Sequence, residues 1–369
     1  MNSDVHPVVV AIVLLLTGVA VGVWMWGTGV AASYGGPAAM AVAPDGQRFV
    51  QIQNYLVEHD AKDAYVRTHH LEGLGVEQFL GGFAFFSNGD VLLRRGPDPR
   101  SFFDNLRAFG RATNHKSIVP DAPASGLFRC DLETSYCARF GDKGIDLKAA
   151  YSVYIDWQTD EVYISDTTRH LLRKYSSEGV ELAPPVGGFR FPNDLMVHDG
   201  QLLVADTNNH VIRSVKAESA AFAESIDRKD VVPRAAKSAG QRWPSRFARV
   251  GEQWWVNNMQ TGMDKGALYV FDNNWQYVRR IELPPDADPI SILAVDGTVW
   301  VSDWKNDVVR TFAPTGQARA NLESAGLETI LSASREERRK YTVFSYGGIG
   351  LIVLLFLGLA VRGYAVSMN

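Results

Sequence analysis

The sequence carries none of the short motifs by which the commonest enzymes declare themselves. There is no G-x-S-x-G nucleophile elbow, no phosphate-binding loop, no H-E-x-x-H, no C-x-x-C and no glycine-rich dinucleotide fingerprint followed by an acidic residue. The chemistries that depend on those motifs therefore lack their usual supports. Charge of one sign is missing too: 37 Lys and Arg stand against 41 Asp and Glu, a formal net charge of −4. That balance describes an ordinary globular protein, and nucleic acid is not an expected partner. With two cysteines in 369 residues, at most one disulfide is available.

Charge is absent altogether from Val5 to Pro44, and Val8 to Trp26 is a nearly unbroken apolar run. It has the ~20 residues that a bilayer-spanning helix requires. Trp24 and Trp26 sit at one end, where an indole keeps its body in lipid and its N–H among headgroups. A signal peptide is the competing reading, with Ala31-Ala32-Ser33 as its cleavage site, but Met1 to Pro7 has no basic side chain and the apolar run exceeds the usual ~7–15 residues. Gly18 and Gly22 have the G-x-x-x-G spacing that lets a second helix approach. Thr342 to Val361 is another uncharged run of spanning length. The expected order is a tail over 1–7, a membrane helix over 8–28, a linker over 29–44, a domain over 45–320, a helical linker over 321–341, a second membrane helix over 342–361 and a tail over 362–369.

The domain is built of copies. In Phe191 to Val215, Leu195-Val197 and Leu202-Val204 have strand composition and flank Asp199-Gly200, a hairpin signal because both residues tolerate positive φ. A polar turn, Asp206 to His210, leads to a third alternating strand, Val211 to Val215. Forty residues earlier, Val162 to Thr167 and then His170 to Arg173 match position by position, and Val299 to Trp304 with Asp307 to Arg310 match again. Three copies thus share an Asp turn and an Arg seven residues on. Trp254 to Asn258 followed by Ala267 to Phe271 is a fourth copy with a lengthened turn, aligned with Asn257 at the Asp position. A period in the 40s with about four strands per unit is the signature of a propeller. The fold expected is all-β, a propeller of about six blades flanked by the two membrane helices.

Toward the N-terminus the copies fade. Phe49 to Val66 reads as the first blade, and Phe83 through Asn88-Gly89 opens the second. Phe102 to Asn114 reads as an inserted loop or short helix among Pro97, Pro99, Pro120 and Pro123. Residues 216–242 read as a surface insertion, and Leu322 to Lys340 as a helix continuing into the second membrane segment.

Pro192-Asn193-Asp194 and Val204-Ala205-Asp206-Thr207-Asn208-Asn209-His210-Val211-Ile212 resemble the repeat of the NHL β-propellers. The style of repeat is also similar, more distantly, to six-bladed gluconolactonases and strictosidine-synthase-like proteins. That second resemblance implies a calcium or other divalent ion on the channel floor, held by one Glu and by Asn or Asp from separate blades. Asn193 follows a proline as one such ligand does, but no residue here identifies itself as the Glu.

The two cysteines and the charges near the membrane bear on compartment. With Glu133-Thr134 as loop residues, Cys130 and Cys137 face each other across a hairpin at about 5.5 Å, a span a disulfide bridges; the alternative is two buried small hydrophobes. A disulfide implies an oxidising space such as a periplasm. Against this, Arg335, Arg338, Arg339 and Lys340 precede the second membrane segment and only Arg362 follows it. Taken literally, the positive-inside bias puts the propeller in the cytoplasm, yet long domains translocate largely regardless of charge. The expectation is a bacterial inner-membrane protein with its propeller on the periplasmic side.

Candidate sites follow from contrast between copies. Asp166, Asp206 and Asp303 recur once per unit, so they read as turn-formers rather than metal ligands. His69 and His70, adjacent in a strand, point to opposite faces and cannot share one ion. Ser152, Asn193, Asp194, Ser245, Arg246 and Ser291 stand near the start of each blade's innermost strand, around one channel mouth, and differ from blade to blade as a ligand site would. Together with the tryptophans, which include residues 243, 254, 255, 275, 300 and 304 in the propeller, these residues suit a protein- or glycan-binding scaffold of the envelope, with a membrane or envelope protein as partner. The alternative is a metal-dependent lactonase or esterase acting on a small molecule.

Overall fold

Short strands divided by turn residues cannot bury two faces alone, and here they do so by stacking as blades. The computed structural model describes residues 7–74, 81–95, 126–141, 145, 147 and 150–367. They form two compact units, Gly36–Leu327 and Met1–Gly35 with Glu328–Asn369.

The first unit is a six-bladed propeller of antiparallel sheets. Blade 1 holds β1 (Met40–Val42), β2 (Arg48–Ile52), β3 (Tyr55–His59) and β4 (Tyr65–His70), and blade 2 holds β5 (Ala84–Phe85), β6 (Val91–Arg95), β7 (Gly126–Asp131) and β8 (Tyr136–Arg139). Blade 3 is β9 (Tyr151–Asp156), β10 (Glu161–Asp166), β11 (Leu171–Tyr175) and β12 (Glu181–Val186). Blade 4 is β13 (Pro192–His198), β14 (Gln201–Asp206), β15 (Val211–Lys216) and β16 (Ser225–Asp230). Blade 5 is β17 (Trp243–Val250), β18 (Gln253–Met259), β19 (Ala267–Phe271) and β20 (Tyr277–Ile281). Blade 6 is β21 (Pro289–Val295), β22 (Thr298–Asp303) and β23 (Val308–Phe312), with single bridges from β23 to Ala318 and Leu322 in place of a fourth strand. The innermost strands touch in the ring β1, β5, β9, β13, β17, β21 and back to β1.

Each second strand is covered on both faces, which is why Leu202-Leu203-Val204 and Trp254-Trp255-Val256 read as continuous apolar runs. The core lies between blades: Trp255 with Phe312 and Val301, for example, joins blades 5 and 6. Thr167 Oγ1 and Thr207 Oγ1 each donate to the carbonyl of the proline opening the next blade, Pro192 and Pro244, at 2.6 Å, and the Asn257 amide does the same to Pro289. The ring closes between blades 6 and 1, where the Gly36 amide donates to the Trp304 carbonyl at 3.1 Å and Arg48 bonds Asp296 at 3.1 Å.

Asp166, Asp206 and Asp303 are buried at equivalent places, and the Arg seven residues on pairs with each: Arg173 at 3.0 Å, Arg213 at 3.4 Å and Arg310 at 2.7 Å. The same carboxylates accept amide bonds from their own turns or the preceding loop. In the fourth copy the aligned residue is Asn258, not Asn257, since Pro192, Pro244 and Pro289 pair with Asp206, Asn258 and Asp303. Consecutive asparagines hid that one-residue step.

Residues 216–242 are not merely an insertion: β16, the outer strand of blade 4, lies inside them, paired through Val211 with Asp230. All but one of its residues are exposed, so it has no apolar pattern to betray it. Blade 1 opens before Phe49, at the three-residue β1. Cys130 and Cys137 are directly paired and disulfide-bonded, at a Cα separation of 4.1 Å; this is the closer, non-hydrogen-bonded kind of pair. Residues 97–125, including Phe102 to Asn114, lie outside the described residues.

The second unit contains the helix Pro7–Ser33 and most of the 43-residue helix Ala325–Ser367. By length and composition both are apolar enough to cross a membrane. Their contact does not use the G-x-x-x-G pair, since nothing lies within 4 Å of a Cβ built at Gly18 or Gly22. It uses Gly27 and Gly348, where the partner helix's backbone is about as close as a glycine allows, and a 2.7 Å bond between the Thr28 and Ser345 hydroxyls.

Candidate functional site

Three innermost strands break register at one step. From Pro192 to Leu195, β13 takes three residues against two on β14; β17 takes two from Pro244 to Arg246 against one on β18; β21 takes two from Pro289 to Ser291 against one on β22. Each is a one-residue bulge, a device that bends a strand and re-aims a side chain. The bulges fall on Asn193-Asp194, Ser245-Arg246 and Ile290-Ser291. In blade 3, Ser152 pairs with Ser165 without a break.

The central channel encloses ≈ 500 Å³, within the range of small-molecule sites. Ser152, Asp194, Arg246 and Ser291 line it. Asp194 Oδ1 accepts from the Ser152 hydroxyl at 3.2 Å, and its Oδ2 from the Phe247 amide at 3.0 Å. Burial pushes the Asp194 carboxyl above its ordinary pKa, outweighing the opposing pull of Arg246 and of these hydrogen bonds. The Arg246 guanidinium donates through Nε to Ile290 O at 3.1 Å and through Nη1 to the carbonyls of Asn193 and Ser245. It thereby braces blades 4, 5 and 6. Nη2 takes part in none of these bonds.

The other two candidates turn away from the lining. The Asn193 amide donates to Thr207 Oγ1 at 2.8 Å, and buried Ser245 accepts from Asn257 at 3.0 Å. Both side chains tie strands within a blade. Blades 1 and 2, where the repeat was too faint to nominate residues, contribute Ala38 to Val42 and Gly82 to Phe85 to the wall. Tyr154, Trp157 and Arg249 also line the channel; they lie well past the strand starts, where the repeat alone gives no contrast between blades. His69 bonds Glu58 at 2.6 Å and His70 stacks on Tyr55, on the opposite face.

A divalent ion does not fit the mouth. Among the described residues no three His, Cys, Asp or Glu side chains gather to hold a metal. The carboxylate contributed by the four mouth residues, Asp194, is already bonded to two donors beside a guanidinium, whereas a hard cation needs several oxygens and compensating negative charge.

No protein-family model and no curated protein matches the sequence. Solved structures do resemble it: a streptogramin B lyase, 11% identical with a TM-score of 0.51 over 79% of this chain and 84% of that one, and a nidogen/laminin complex, 11% identical with a TM-score of 0.50 over 79% and 93%. A virginiamycin B lyase from Staphylococcus aureus is 12% identical, with a TM-score of 0.49 over 77% and 83%. At such identities the likeness shows the β-propeller fold and carries nothing about activity.

Proposed function

We propose that this chain is a membrane-tethered propeller of the cell envelope that works by binding, with the channel mouth as its recognition site and an envelope protein or glycan as its ligand. The observation that carries the reading is the convergence of Ser152, Asp194, Arg246 and Ser291, from four blades, on one cavity, three of the four at or beside a bulge. Residues that serve the blades, by contrast, repeat from copy to copy. The apolar helices at both ends support the tether and the disulfide supports an oxidising compartment. The metal-dependent hydrolase reading finds no donor set at the mouth, and no catalytic step is assigned.

Ser291→Phe fills the mouth from blade 6 and provides the test. Wild type and variant are purified from the native membrane in parallel, and bound components are identified by mass spectrometry. We expect a component retained by wild type and lost from the variant at unchanged melting temperature. Equal recovery from both would place recognition elsewhere on the propeller.

A further inference from the structure

The residue immediately before Pro192 of β13, Pro244 of β17 and Pro289 of β21 is Phe191, Trp243 and Asp288 in turn. These positions lie three residues ahead of Asp194, Arg246 and Ser291 in the chain and are not among the channel-lining residues; together they make up a rim position in blades 4, 5 and 6. Nothing in the repeat demands what they carry.

Phe191 is the telling one. In blade 6 the Asp303 carboxylate accepts the amide of Asp288, directly before Pro289; in blade 4 the equivalent Asp206 accepts the amide of Arg190, two before Pro192. Phe191 is therefore an extra residue, pushed outward with φ of 54°. A bulky side chain in the left-handed region is a conformational outlier, where Gly or Asn would be relaxed. The residue nevertheless remains 42% exposed. It is held rather than loose: its amide donates to His170 Nδ1 at 2.9 Å, and the two rings meet edge to face at 4.4 Å. Strain of this kind persists where the surroundings impose it, and it concentrates at ligand sites. In the next blade Trp243 leans on His210 in the same way, at 5.4 Å. One blade further the position is Asp288, whose Oδ1 is buried, with no hydrogen-bond partner among the described residues.

We infer that the rim selects a carbohydrate, with Phe191 and Trp243 stacking on sugar rings while Asp194, Arg246 and the serines of the channel take hydroxyls. A pyranose shows a C–H face and a hydroxyl edge. The first suits a rigid aromatic and the second suits paired donors and acceptors. The inference rests on the channel mouth being the recognition site and names the class of ligand that site takes.

The test uses the full-length chain in a non-ionic, sugar-free detergent, with the β-1,4-linked tetramer of N-acetylglucosamine and cellotetraose as probes, followed by calorimetry and tryptophan fluorescence. Wild type should bind at least one tetrasaccharide saturably, and Ser291→Phe should abolish binding. Phe191→Asn, which suits the left-handed backbone, should weaken binding at least tenfold while the melting temperature holds or rises; Phe191→Tyr should bind like wild type. Binding lost in Ser291→Phe but unchanged in Phe191→Asn and Trp243→Ala overturns the rim assignment and leaves the channel reading standing. A marked fall in melting temperature for Phe191→Asn makes Phe191 structural and overturns it as well. Failure of wild type to bind either probe, or recovery of a peptide as the component lost from Ser291→Phe, overturns the carbohydrate assignment.

Discussion

Carboxylates in this propeller fall into two groups with opposite energetics. Asp166, Asp206 and Asp303 each meet a guanidinium and at least one amide, so burying them leaves no charge uncompensated; Asp194 and Asp288 make no ion pair within 4 Å among the described residues. Burial, then Asp264 and Asp303, push the Asp288 carboxyl from 3.8 up to about 6, against Lys305 and the Lys265 amide. The folded chain therefore binds this proton more tightly than the unfolded chain does. Stability from this group is highest below pH about 4, falls as pH rises toward about 6, and stays reduced above that. A fully buried group shifted this far would be worth about 3 kcal/mol, and solvent screening at this half-exposed site reduces it to about 1 kcal/mol. Asp288→Asn should therefore stabilise the protein by about that amount at pH near 7.5 and not at pH near 4, read by thermal melts at both. Equal effects at the two pH values would show that ionisation is not the cause. The recurrent Asp turns were legible because they repeat; Asp288 was not, because its environment comes from two loops distant in sequence.

At the scale of elements, strands buried on both faces and hairpins with Asp-Gly turns could be read directly, whereas outer strands such as β16 could not. An outer strand is exposed on one side and charged, so its composition matches that of a loop. The two apolar helices were equally legible, but not their contact. Glycine spacing nominated Gly18 and Gly22, while the close approach occurs at Gly27 and Gly348, because rotation of each helix about its axis is set by all the side chains along it. A Cβ at position 348 would lie 2.8 Å from the Ala20 carbonyl oxygen and from the Trp24 amide. Gly348→Leu should thus push the helices apart. Oxidative cross-linking between Thr28→Cys and Ser345→Cys, whose native hydroxyls are 2.7 Å apart, should be efficient with Gly348 and fall severalfold with Leu. Undiminished cross-linking would mean that the pair is held by other contacts.

For the whole molecule the open quantity is orientation. The disulfide between Cys130 and Cys137 favours an oxidising compartment, while Arg335 to Lys340 ahead of the second apolar segment favours the opposite. We expect both termini on the cytoplasmic side and the propeller outside, since a domain of this size crosses largely irrespective of flanking charge. Protease added to intact spheroplasts should digest the propeller. Complete protection, lost on lysis, would show that the basic run had set the topology.

The architecture was determined by sequence alone to the extent that it rests on periodicity: repeated strands, Asp turns with their Arg partners, and two uncharged runs are local patterns, and local patterns survive in one dimension. The facing of Cys130 and Cys137 belongs here too, because a seven-residue separation across a hairpin leaves few other arrangements. The functional surface was decided by tertiary structure. Ser152, Asp194, Arg246 and Ser291 could be nominated by their places in the repeat, but a one-residue bulge determines whether a side chain enters the channel or turns into its blade, as Asn193 and Ser245 do. The strained posture of Phe191 has the same origin. Its extra residue is visible only when Asp206 and Asp303 are seen taking amides one position apart, a comparison that exists only after the ring has closed.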